Sequence, residues 1–222
     1  MRRLALVASV VLALAAATRA SAQELNLAAT STSRPSIVQA RSGMDHAFLG
    51  EIGYRHVLAW GDQQLFVGGD VAMPWAKADF RDYRLRVIMG LPFGGQHWKL
   101  AGWLSPTLRG TENAASEMTA LGVDLRLTGG YYAPRWFIAG EVGLDWIAAT
   151  HITFSDAYRT SVYSGAKDGW YGTPGGTAYA GLQAGVSFSS FDVIVRAGHP
   201  RTTALEQQTV PLYLTMGVNV AL

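Results

Sequence analysis

The stretch that decides the fold is the end of the chain, VPLYLTMGVNVAL, residues 210–222. Its even positions are apolar: Val210, Leu212, Leu214, Met216, Val218, Val220 and Leu222. Its odd positions from Tyr213 on are mostly small or polar: Tyr213, Thr215, Gly217, Asn219 and Ala221. Successive side chains of a strand point to opposite faces, so this pattern marks a strand lying between an apolar and a polar environment.

The same alternation recurs upstream. It is cleanest at 83–93, where Tyr83, Leu85, Val87, Met89, Leu91 and Phe93 oppose Arg84, Arg86 and Gly90. Residues 48–60, 65–75, 98–108, 119–127, 136–146, 178–188 and 191–197 repeat it, which predicts nine strands. Tight connections are expected at 61–63, 94–96, 129–134 and 189–190. Long ones are expected at 76–82, 110–116, 155–175 and 199–209. Short and long connections alternate, as in an up-and-down barrel with short turns at one end and loops at the other. Both termini then lie at the turn end, which requires an even strand count. A tenth strand should therefore fall between residues 24 and 41, at Leu25-Asn26-Leu27 or at 36–40; an eight-strand barrel with a loose N-terminal segment is the fallback.

Composition agrees with lipid as the outer solvent. Charged residues make up 15% of the chain, against about 25% in soluble domains. There are 25 glycines, 7 Trp and 9 Tyr. A net charge of +2 without a basic run gives no footprint for nucleic acid. The absence of cysteine excludes disulfides, thiolate metal sites and a Cys-linked lipid anchor. At the N-terminus, Arg2 and Arg3 precede an apolar stretch, 4–17, and Ala20-Ser21-Ala22 reads as an A-x-A cleavage site. Residues 1–22 thus read as a secretory signal peptide and 23–222 as the barrel. No later apolar run reaches spanning-helix length, so a membrane-resident mature chain must be a closed barrel. Trp60, Phe93, Trp98, Tyr131, Trp136, Phe188 and Phe191 flank the tight turns, while Phe48, Trp75, Tyr83 and Trp146 sit at the opposite strand ends. Ten residues of tilted strand cover about 25 Å, the height of a lipid-facing band between aromatic girdles.

The terminal segment also resembles the C-terminal signal of bacterial outer-membrane β-barrel proteins. Thr215, Gly217, Val220 and Leu222 fit its polar, Gly, apolar and final apolar positions, with Leu where that superfamily most often has Phe. The resemblance implies an all-β, membrane-spanning antiparallel barrel in the outer membrane. It also implies lipid and lipopolysaccharide as surroundings and recognition of the last strand by the barrel-assembly machinery.

The inward face should carry Glu51, Asp70, Asp124, Glu141, Asp145 and Asp192 against Arg55, Arg84, Arg86, Lys99, Arg126 and Arg196. Buried charges persist when paired, and barrels of about this size are filled by side chains. A lumen plugged by paired charges is therefore expected, which favours a structural or surface-interaction role; a narrow charge-lined channel is the alternative. A lipid-modifying enzyme is a third reading. For it His151, Ser155, His199 and Glu206 are the catalytic candidates, although His151 and Ser155 would stand roughly 13 Å apart on a straight strand. The loop 155–175 holds Tyr158, Arg159, Tyr163, Lys167, Trp170 and Tyr171, aromatics beside cations that suit sugars, phosphates or a partner protein. No metal-ligand spacing or phosphate loop is present, so neither a metal nor a cofactor is expected.

Overall fold

In a computed structural model the described residues are 25–44, 48–75, 81–172, 175–202 and 212–222. The expected signal peptide and Glu206 lie outside them. Among the described residues eleven strands and one short helix follow in chain order: β1 (Ser36–Met44), β2 (Phe48–Trp60), β3 (Gln63–Pro74), β4 (Tyr83–Gly94), β5 (Trp98–Glu112), β6 (Ser116–Ala133), β7 (Trp136–Phe154), α1 (Asp156–Ser161), β8 (Gly169–Tyr171), β9 (Gly175–Ser187), β10 (Phe191–Thr202) and β11 (Tyr213–Ala221).

Ten of the strands close into a ring. Each of β1 to β6 pairs with the next, β6 pairs with β7, β7 with β9, and β9 with β10. The ring then runs through β11 back to β1, and every pairing is antiparallel. The short β8 is an eleventh strand that lies on the upper end of β7, outside the ring. Closure leaves the long strands no unpaired edge, the condition a sheet must meet in hydrocarbon. The chain is thus an all-β, membrane-spanning up-and-down barrel of ten strands.

The tenth strand is β1, from the second of the two segments expected to supply it. Its neighbour in sequence, Leu25-Asn26-Leu27, is not a strand. It folds as a turn and tucks under the barrel, with all three residues at most 4% exposed. Three connections are also shorter than expected, one of them 199–209, where β10 runs on to Thr202. The segment 110–116 is not a long loop, because Gly110, Thr111 and Glu112 pair with Thr119, Met118 and Glu117. Likewise 129–133 is strand rather than turn, since Gly129 and Gly130 pair with Gly140 and Ala139. In both places glycine reads as a turn residue, yet the ladder across the hairpin supplies its backbone partners.

The alternation of faces holds as read. Ile52, Val87, Val142, Leu182 and Leu214 are more than half exposed on the outside, and Trp60, Trp98 and Trp75 stand at the ends of that belt. One bulge interrupts the pattern. Leu121 pairs with Ala149 but Gly122 pairs with Ile147, so Ala148 is unpaired. An extra residue swaps the faces beyond it. Asp145 therefore points inward below the bulge, and Thr150 is the buried residue above it.

The candidate lumen site

The lumen is built in two layers. Toward the turn end, inward side chains are apolar. Val57, Phe66, Ile88, Trp103, Phe137 and Ile194 are at most 4% exposed and form one cluster with Leu25 and Leu27. Trp103 packs against Phe66 with ring centroids 5.7 Å apart, and its indole N–H donates to Thr128 Oγ1 at 3.1 Å. It lies across β4 where a Cβ on Gly90 would come within 2.1 Å of its ring, so only glycine fits there. The N-terminal segment closes the end. Asn26 is fully buried, and its Nδ2 donates to the Ala133 carbonyl at 2.9 Å and to Ser187 Oγ at 2.8 Å. One side-chain amide thereby bridges two turns of the barrel.

Above this layer, in the half nearer the loops, the lumen is ionic. Glu51 accepts from Arg41 at 3.1 Å, Arg84 at 3.3 Å and Arg86 at 2.9 Å. Asp70 accepts from Arg55 at 3.0 Å and from two nitrogens of Arg86 at 2.7 and 2.9 Å. Arg86 also comes within 4.0 Å of Asp124. On the opposite wall Glu141 holds Arg126 at 3.5 Å, pairs with Arg196 and accepts from the Tyr213 hydroxyl at 2.5 Å. Arg109 pairs with Asp145. The guanidinium of Arg196 lies over the Tyr213 ring at 4.4 Å and the Tyr179 ring at 5.3 Å. Planar, multi-donor guanidinium suits such sharing in a way that the point charge of lysine does not.

Ten of the twelve charges read as inward belong to this lattice. Lys99 and Asp192 point inward too but stand at the turn end. Lys99 lines a cleft beside Leu27, and Asp192 is held by Ser187 and Asn219. Arg41 and Arg109 are the lattice members that sequence reasoning missed. Arg41 lies on the strand with the weakest pattern, and Arg109 lies just past the point where β5 was expected to end. Arg41 also accounts for the glycine in β11, because a Cβ on Gly217 would meet Arg41 Cγ at 2.5 Å. Of the other residues that resemble an assembly signal, Thr215 is buried inward while Val220 and Leu222 face out.

Outside the lumen, α1 and the segment after it fold onto themselves. Ser155 is not on the strand with His151. It caps α1, its Oγ accepting from the Tyr158 N–H at 3.1 Å and donating to the Ala114 carbonyl at 2.9 Å. His151 sits beyond the bulge on β7, with its ring 5.3 Å from Trp170. Tyr158 stacks on Phe154 at 5.2 Å, and Arg159 reaches both Asp156 and Asp168. Asp168 accepts the Phe154 N–H at 2.8 Å; that bond first, and Arg159 second, hold its carboxyl below the usual carboxylate range. Tyr171 donates its hydroxyl to the Lys167 carbonyl. Tyr163 and Trp170 remain about 60% exposed. His199 lies near the loop end of β10.

A closed barrel with an apolar exterior and a filled, ionic lumen defines the class: a small transmembrane β-barrel. No family model matches the chain, and no curated protein does either. Among solved structures it is similar to a KdgM porin, at 9% identity and a TM-score of 0.43, over 84% of this chain and 99% of that one.

Proposed function

We propose that the chain is a small outer-membrane barrel whose lumen is sealed toward the periplasm and whose loop end meets ligands or lipopolysaccharide outside the cell. The observation that carries this reading is the layering of the lumen. An apolar plug, crossed by residues 25–27, lies below an ionic layer of shared guanidinium–carboxylate pairs, while α1 and the segment after it place Tyr163 and Trp170, both exposed, at the loop end. Export through a signal peptide cleaved near Gln23 would leave the buried residues 25–27 in the mature chain. The experiment is conductance of the purified, folded chain in planar bilayers. A flat baseline is expected at 100 mV, together with a mature N-terminus at or near Gln23 by mass spectrometry. Stable ion steps from the wild-type chain would overturn the sealed-barrel reading.

A second reading, a narrow charge-lined channel, is favoured by one feature. Within the ionic layer a narrow gap is lined by Arg84, Arg86, Arg109, Arg126 and Arg196. In that reading the plug is a gate. Deleting residues 24–30 would then raise conductance well above wild type, with anions passing in preference to cations.

A further inference from the structure

We propose that the outer face of β1 and β2 is the contact through which a second copy of this chain pairs with the first inside the membrane. A relay of three polar side chains marks it. The Ser36 hydroxyl lies 2.9 Å from the Tyr54 hydroxyl, which lies 3.2 Å from His56 Nδ1. All three belong to the outward set of their strands: β1 presents Ser36, Val38 and Ala40, and β2 presents Ile52, Tyr54, His56 and Leu58. In the ladder Ser36 pairs with His56 and Val38 with Tyr54. Tyr54 is 45% exposed. The inference depends on lipid covering this face, and not on whether the lumen is sealed.

Depth decides what these groups can bond to. Along β2, His56 stands four residues and Tyr54 six residues from Trp60, at the turn end of the apolar belt. At about 3.3 Å per residue and a tilt of about 40°, that is about 10 and 15 Å into a lipid-facing band about 25 Å tall. Apolar residues surround the relay. Val38 and Val67 pair with Tyr54 and His56, and Ile52 and Leu58 flank the two on β2. Hydrocarbon at that depth offers no hydrogen-bond partner. With His56 neutral the three side chains bring three donors, and the two internal bonds use two of them. One donor and several acceptor lone pairs are left over. Among the described residues no other group bonds to these three side chains.

Polar groups stranded in hydrocarbon are satisfied by polar groups of another protein at the same depth. A second copy brings them there. Two copies inserted in the same orientation are related by a two-fold axis along the membrane normal, so equal depths face each other and the contact is self-complementary. Hydroxyl and imidazole each donate and accept, and the relay can run in either direction. The spare donor of one copy therefore meets a spare acceptor of the other. A formal charge at such a contact would face its own image, and the outward positions of β1 and β2 hold no Lys, Arg, Asp or Glu. Val38 and Ala40 beside the relay are small enough for the two surfaces to approach closely.

The test is cross-linking of the full chain in the membrane fraction of cells that produce it at a low level. The chain has no cysteine, so Val38→Cys carries a single thiol beside Tyr54 and can form a disulfide only with another molecule. Leu125→Cys, five strands round the ring on β6 and 46% exposed, is the control. Both are oxidised with copper phenanthroline, and adducts are read on non-reducing gels and by mass. Val38→Cys should give a covalent dimer of twice the chain mass, and Leu125→Cys at least tenfold less of it. Adding Tyr54→Phe and His56→Leu to Val38→Cys should lower the dimer yield at least tenfold. Those two changes remove polar groups from hydrocarbon, so the variant should fold at least as well as its parent; heat-modifiable mobility on gels checks this separately. The proposal fails if Val38→Cys gives no dimer, if Leu125→Cys gives as much, if the dimer survives loss of the relay, or if the adduct holds a different protein. A chain that never forms the compact, heat-sensitive species sinks the barrel reading and this contact with it, whereas a compact barrel that stays monomeric sinks the contact alone.

Discussion

Glu51 is the most heavily used carboxylate of the lumen, and replacing it by glutamine isolates charge from shape. Three guanidiniums lie 2.9 to 3.3 Å from its oxygens, and its side chain is 1% exposed. At an effective dielectric of 20, one such pair near contact is worth about 4 kcal/mol. Desolvation of each buried ion returns several kcal/mol of that gain. Removing one partner of a buried ionic cluster nevertheless costs about 3–5 kcal/mol, because the guanidiniums left behind stay buried with less compensation. Glu51→Gln should therefore lose about that much, measured by urea unfolding from lipid vesicles with tryptophan fluorescence as the signal. The exposed pair Arg81–Glu112 is the control, since Arg81 is 66% exposed. Glu112→Gln should cost less than about 1 kcal/mol. Because Arg86 also holds Asp70, Glu51→Gln with Arg86→Gln should lose more than either alone but less than the sum of the two, a coupling energy of about 0.5–3 kcal/mol. If Glu51→Gln unfolds within about 1 kcal/mol of wild type, the ionic layer is a solvated lining and not a structural core.

Val87 faces outward at mid-height on β4 and is 57% exposed. Val87→Arg should cost about 2–4 kcal/mol in vesicles; a neutral result in the same unfolding assay would mean that this face does not meet lipid. Gly90→Ala should cost about 1–3 kcal/mol by overpacking against Trp103, and combining it with Trp103→Phe should give part of that back. Trp103→Ala should cost about 3–5 kcal/mol through the cavity it leaves, with no loss if the lower layer is in fact wet. Asp168 is the pH-sensitive tie of the outer loop. A carboxyl held below its usual range stabilises the loop at pH values above the unfolded value near 4, and that contribution disappears as pH falls through the lower folded value. Amide exchange in 155–172 should therefore accelerate only in strong acid for the wild type, but already at neutral pH in Asp168→Asn. Equal exchange in the two chains at pH 7 would dismiss the tie.

How much of this was legible in the residues depends on what breaks a period of two. Where outward apolar and inward polar residues alternate, as at Tyr83 to Arg86, the strand, its faces and its lattice charges could all be read directly. The bulge at Ala148 could not, because one inserted residue among Ile147, Ala148 and Ala149 leaves no polar mark on either face; only the buried Thr150 and the outward ring of His151 reveal that the phase has changed. The apolar plug was hidden differently. An inward apolar residue flanked by two outward ones reads as a lapse in the alternation rather than as a message. Yet the lapse recurs: Leu65-Phe66-Val67, Val87-Ile88-Met89, Trp136-Phe137-Ile138 and Val193-Ile194-Val195. In each triplet the middle residue is the one buried in the lower layer. Three of the four triplets fall in the half of their strands nearer the tight turns and Ile88 stands at mid-strand, whereas Val71-Ala72-Met73, in the loop half of β3, puts only an alanine methyl inward. A strand that is apolar on both faces near one end has lipid outside and a dry core inside at that depth. Triplets clustered at one end of successive strands therefore report a one-sided seal in a small barrel, and charges restored on the inward face above them mark where water is readmitted.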